Sequence, residues 1–253
     1  MRWLAGAVLL GLSLVSAGCG ASDGAGRGPV VVGGAASLAE PLSAFAEEYE
    51  LRHPETDVQV EFAGSDAIAA KIRQGVGIDV FVSASVELAE ALHGEGLTAP
   101  PVSIAGNTLV VAAPHDSPVE AIDDLDDPGV RLAIGNPHVP VGAYARIALS
   151  LVGDAFAIRA MENVRTNELD ARGIVGKVSQ GAVDAGVMYR TDAAGLGSAV
   201  LVVPFAPEDQ PAIRYAAALV TDPRPSLDAG EVMDELTGDS GRRFFGNRGF
   251  TAP

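Results

Sequence analysis

The chain has 253 residues, 48% apolar and only 5% aromatic, with 33 acidic against 17 basic side chains and a formal net charge of −16. Lysine occurs only at Lys71 and Lys177, so there is no basic patch to neutralise phosphates, and nucleic acid is excluded as a partner. A single cysteine, Cys19, excludes an internal disulfide framework.

The first 18 residues read as a leader rather than as part of the fold. Arg2 precedes an apolar run from Trp3 to about Val15, which is too short for an ordinary membrane span. "VSAGC" resembles a lipobox, with Cys19 as the lipidated N-terminus and residues 19–28 as a flexible tether. Ser16 departs from the Leu more usual there, and a plain leader cut after Ala17 is the alternative.

From Pro29 short apolar runs alternate with amphipathic helices. "PVVVGG" predicts a strand, and Leu38, Leu42, Phe45 and Tyr49 then recur at helical spacing. "DVQVEFAG" alternates as a strand, and a helix with Ile68 and Ile72 follows, stopping at Gly75. "IDVFVSAS" is a strand, Val86 to Gly94 a helix, and "NTLVVAAP" a strand. "AIDDLDDPGVRLAIGN" gives a short helix and a strand; its acidic run lacks the spaced ligands of a calcium loop and reads as a solvated turn. "VPVGAYARIALSLVG" and "ARGIVGKVSQG" are helices, "AGVMYRTDA" a strand with its loop, and "SAVLVVPF" and "IRYAAALVT" late strands. "DAGEVMDELTG" and "GRRFFGNRGF" close the chain as helix and tail. This alternation predicts an α/β architecture with largely parallel sheets, whose ligands sit at the carboxyl ends of strands.

Four junctions in such positions share small residues, and the first three carry no cation: "AAS" at 35–37, "AGS" at 63–65, "PVG" at 140–142 and "DAR" at 170–172, which ends in Arg172. A helix entrance presents unpaired N–H groups and partial positive charge, so it suits an anion. Each serine also has a local explanation. Ser37 with Glu40 spells a capping box, although Pro41 lacks the N–H for the first intrahelical bond, and Ser65 reads as an ordinary N-cap.

Taken together, "GGAASLAEPL", "EFAGSDAIAAKIRQGVGIDVFVSAS", "GNPHVPVGAYARIAL", "GKVSQGAVDAGVMYRTDA" and "FFGNRGF" resemble the ModA family, the extracytoplasmic molybdate-binding proteins of ABC importers. The resemblance covers nearly the whole mature chain. It implies a two-lobed periplasmic-binding-protein fold, each lobe a mostly parallel sheet flanked by helices, with residues 29–107 and 220–253 in lobe 1 and 108–219 in lobe 2. It implies a tetrahedral oxyanion, molybdate or tungstate, held in the cleft by neutral donors, with no other metal and no cofactor. Ser37 and Ser65 match the family serines that give hydroxyl and N–H; Val141 and Ala171 match positions that give a backbone N–H, and Tyr189 the one that gives its phenolic O–H. Val164 also precedes an Arg, but it lies 25 residues before Tyr189, where Ala171 lies 18 before it. Asp66 departs from the family pattern, and its carboxylate would weaken anion binding unless it points outward from the first turn of its helix.

The implied protein is exported to the periplasm or the outer face of the cell membrane. It is a monomer there, tethered through Cys19, and delivers its anion to membrane permease subunits. Donors without acceptors disfavour a protonated anion such as hydrogen phosphate. Two other readings stand beside this one. A binding protein for sulfate or another oxyanion stays in the class. A serine hydrolase using Ser37 or Ser65 lacks a G-x-S-x-G elbow, and its histidines, His53, His93, His115 and His138, are scattered.

Overall fold

The computed structural model describes residues 28–221 and 226–253. The leader, Cys19 and nearly all of the tether lie outside the described residues.

The first sheet begins with β1 (Val30–Ala35), β2 (Val58–Ala63) and β3 (Val80–Ser83), separated by α1 (Ala39–Arg52) and α2 (Ser65–Arg73) and followed by α3 (Val86–Gly94) and β4 (Val102–Asn107). The chain then crosses to a second sheet through β5 (Leu109–Pro114) and continues as β6 (Leu132–Gly135), α4 (Pro140–Val152), α5 (Asp154–Glu162), β7 (Val164–Glu168), α6 (Ala171–Ser179), β8 (Ala185–Tyr189), α7 (Arg190–Gly195) and β9 (Val200–Pro204). It returns as β10 (Ile213–Leu219), and α8 (Ala229–Thr237) and α9 (Asp239–Gly246) close it.

Among the described residues there are two five-stranded sheets, ordered β2-β1-β3-β10-β4 and β7-β6-β8-β5-β9. In each, the first three strands run parallel and one crossing strand runs against its neighbours, β10 in the first sheet and β5 in the second. The sheets are therefore mixed. Ile213 pairs with Asn107 and Val110 with Pro204, so the two connections lie side by side as a two-stranded hinge. The expected lobe boundary needs correction at one end: β10 hydrogen-bonds to β3 and β4, so the return crossing falls before Ile213 and not at 219.

Four elements were not read from the sequence, β4, α5, β7 and α7, and α9 forms where a tail was expected. β7 is an edge strand of half-buried and exposed residues, "VRTNE", with too little apolar signal to announce itself.

Small residues let the helices close onto the first sheet. A Cβ on Gly33 would lie 2.7 Å from Ile68 on α2, and one on Gly34 would lie 2.5 Å from Leu42 on α1, so successive strand residues meet helices on opposite faces. Ile68, Ile72, Phe81 and Leu92 fill the α2–α3 side. Leu42, Phe45 and Tyr49 of α1 pack with Phe244 and Phe245 of α9 on the other.

Candidate functional site

One small cavity collects the junctions that the sequence singles out. It is lined from the first lobe by Ala35, Ala36, Ser37, Gly64, Ser65 and Ala84, and from the second by Val139, Pro140, Val141, Asp170, Ala171 and Tyr189. All five residues expected to hold the ligand line it. Each stands at or beyond the carboxyl end of a strand, two strands from the first sheet and three from the second. The cavity volume is about 20 Å³, far below the roughly 300 Å³ or more of pockets for organic solutes.

The local geometry leaves N–H groups free for it. Ser65 and Ala171 are the first residues of α2 and α6, and Val141 is the second of α4, after a proline that has no N–H. Ser37 sits inside a short 3₁₀ turn, Ala36–Leu38. The first N–H groups of a helix have no intrahelical acceptor, so four entrances point donors and the positive ends of their dipoles at one spot.

The serines do not cap their helices. No side-chain cap bond forms at the start of α1, and Glu40 is largely exposed, so the Ser37–Glu40 capping box is absent. Ser37 Oγ lies 3.2 Å from Tyr215 Oη. The N-cap of α2 is Gly64 and not Ser65, whose Oγ accepts from the Ala84 N–H at 3.1 Å. With one lone pair of Ser65 filled from behind, its proton is free for the cavity.

Tyr189, the last residue of β8, is 1% exposed, and its hydroxyl has no hydrogen-bond partner. Burial pushes the phenol well above its usual pKa, with the charges of Tyr215, Tyr144 and Asp192 adding to the shift. It is a neutral donor throughout the physiological range. A buried, unpaired hydroxyl costs free energy unless something fills it, and this one faces the cavity.

No cationic side chain lines the cavity among the described residues. The lining does contain Asp170, which the sequence reading passed over. Its Oδ1 accepts from the Gly173 N–H at 2.9 Å, so the carboxylate is committed as the N-cap of α6; an Asp just before a helix is the signal for that role. Asp66 does not line the cavity, yet it is half-buried and not on a solvated face: its Oδ1 is enclosed beside Gly64 without a partner. Val164 lies in β7, paired with Leu132, and takes no part in the lining; His138 is exposed and likewise outside it. Of the acidic run, Asp124 accepts from the N–H groups of Glu120 and Ala121, and Asp126 pairs with Arg159.

Lobe contact at the cavity is close. A Cβ on Gly64 would lie 2.7 Å from the Leu169 carbonyl oxygen across the cleft, so only glycine allows this approach.

A family model for bacterial extracellular solute-binding proteins matches residues 30–251. The molybdate-binding protein ModA of Mycobacterium tuberculosis is 31% identical with all of both chains covered. That of Haemophilus influenzae is 28% identical over 95% of this chain and 96% of its own. Among solved structures, the periplasmic molybdate-binding protein of Azotobacter vinelandii superposes with a TM-score of 0.77 at 20% identity, covering 88% of this chain and 99% of that one. The matched span runs from the first strand to the end of the closing helix and so includes both lobes and every residue of the cavity; the chain belongs to the ModA family of bacterial extracellular solute-binding proteins.

Proposed function

We propose that this protein is the substrate-binding component of an ABC importer and that it captures molybdate or tungstate between its lobes. One observation carries the reading: four helix entrances, two serine hydroxyls and the unpaired Tyr189 hydroxyl converge on one small cavity that no cation lines among the described residues. A dianion stripped of water must have its hydrogen bonds returned. Hydrogen bonds to a charged partner are worth roughly 1.5–3 kcal/mol each, so a set of this size is ample for nanomolar binding even after the costs of closure and ordering. Ser37, Ser65 and Tyr189 supply hydroxyls; Ser37, Ser65, Val141 and Ala171 supply N–H groups.

The protein is a carrier and not a catalyst. It works outside the cytoplasm, tethered as a monomer through a lipid on Cys19, and its closed form is what the permease recognises; the hinge formed by β4–β5 and β9–β10 permits that closure. Calorimetric titration of the domain from about Gly28 with molybdate, tungstate, sulfate and phosphate tests the assignment. Tight one-to-one binding of the first two, with the others weak, is the expected result. A preference for sulfate moves the transport role, and silence from all four ends it.

A further inference from the structure

Behind Ser37, on the side away from the cavity, a line of side chains leads to the hinge. Asn107, the last residue of β4, places its Nδ2 at 2.9 Å from Thr191 Oγ1 on α7 and 3.2 Å from Tyr215 Oη on β10. Tyr215 Oη in turn stands 3.2 Å from Ser37 Oγ. The amide cannot be turned over, because Asn107 Oδ1 accepts the Thr108 N–H at 2.9 Å. Asn107, Tyr215 and Ser37 are all buried.

The chemistry of the end group fixes the direction of every proton in the line. An amide nitrogen can only donate, so Tyr215 Oη accepts from Asn107. The phenol has one proton, and the neighbour left for it is Ser37 Oγ. Ser37 then accepts from behind, and its own single proton has the cavity left to point into. Resting on the oxyanion reading above, we propose that Asn107 and Tyr215 are positioning residues that hold Ser37 as a donor facing the ligand. Ser65 reaches the same state by a shorter route, accepting from the Ala84 N–H. Both hydroxyls thereby commit their protons to the ligand. The site favours an anion with bare oxygens over one that carries an O–H.

The line can be reversed at its source. In Asn107→Asp, Oδ1 still accepts from Thr108, while the former nitrogen becomes an acceptor for the hydroxyls of Thr191 and Tyr215. Tyr215 is then the acceptor for Ser37, whose proton turns away from the cavity. The added charge acts on any bound anion as well, so the measurement is a cycle: molybdate and hydrogen phosphate titrated into the unmodified protein, Asn107→Asp, Ser37→Ala and the double variant. Asn107→Asp is expected to cost about tenfold to a hundredfold more molybdate affinity when Ser37 is present than when it is Ala, the scale of one hydrogen bond to a charged group. The preference for molybdate over hydrogen phosphate should narrow alongside. Tyr215→Phe, which cuts the line without adding charge, gives a second cycle with Ser37→Ala and a smaller coupling of the same sign. Equal losses with and without Ser37 in both cycles, in a protein that binds molybdate when unmodified, overturn this proposal alone. No molybdate binding by the unmodified protein overturns it together with the functional reading.

Discussion

The two walls of the cavity are built differently. On the first lobe's wall each hydroxyl is tied into the fold, Ser65 by the Ala84 N–H and Ser37 by Tyr215. On the second lobe's wall the donors are bare: the N–H groups of Val141 and Ala171 at helix entrances, and a Tyr189 hydroxyl with no partner at all. On the first wall the hydroxyl oxygens are held in place before a ligand arrives, whereas on the second the Tyr189 hydroxyl waits for it. Binding energy from the second wall is thus realised only on closure, which is how a hinged carrier couples capture to a change of shape.

Substitution separates the walls. Ser65→Ala has the largest expected effect because it acts twice. It removes a donor to the ligand, about 10- to 100-fold in affinity, and strands the buried Ala84 N–H at about 1–3 kcal/mol of stability. Calorimetry should show the first and denaturant unfolding the second. Tyr189→Phe should show the affinity loss without the instability, about tenfold weaker binding with unfolding free energy unchanged or up to about 1 kcal/mol higher, since an unpaired buried hydroxyl is being deleted. Parallel instability in both variants would erase the distinction between the walls.

The sequence reached the cavity by two routes of unequal power. Helix entrances after apolar strands are local patterns, and "AAS", "AGS", "PVG" and "DAR" all arrive at the lining. Generic rules misread what the serines do there. Ser37 and Glu40 have capping-box spacing, yet the partner of Ser37 is 178 residues away, and no local rule sees it. Val141 and Ala171 have unremarkable side chains, so only the family pattern could single them out. β10 escaped correct placement for a related reason: "IRYAAAL" reads as a strand, but which sheet it joins depends on pairing with Val80–Ser83 and Val102–Asn107. Asp170 was legible as a cap and was overlooked.

Charge sharpens the contrast between the walls. Beside the second lies Asp192, whose Oδ2 is enclosed without a partner and whose carboxyl is pushed up to about 7, mainly by burial and then by Asp170, with Arg172 opposing. Its charge also reaches Tyr189 and Tyr215. The folded protein holds this proton between about pH 4 and 7 while the unfolded chain has released it. Stability should therefore fall as pH rises across that interval and level off above it. Asp192→Asn should remove that part of the slope. Because a bound dianion opposes ionisation of Asp192, molybdate affinity should also decline as pH passes about 7, and less so in the variant. Titrations at pH 6 and 8 on both proteins decide it; identical slopes would mean that Asp192 is too well screened from the cavity to matter.

The smallest effect belongs to a residue whose side chain contributes nothing to the ligand. Val141 is 2% exposed, and its Cγ1 rests 2.8 Å from where a Cβ on Gly135 would stand, so the side chain packs α4 against β6 while its N–H faces the cavity. Val141→Ala removes packing, about 1–2 kcal/mol of stability by the usual value of buried methyl groups, and keeps the donor. Affinity measured under conditions where the variant is fully folded should change less than about threefold, because the hydrogen bond itself survives. A loss as large as that of Tyr189→Phe would show that the entrance of α4 is held in place by the valine side chain, and the second wall would then depend on core packing as much as the first.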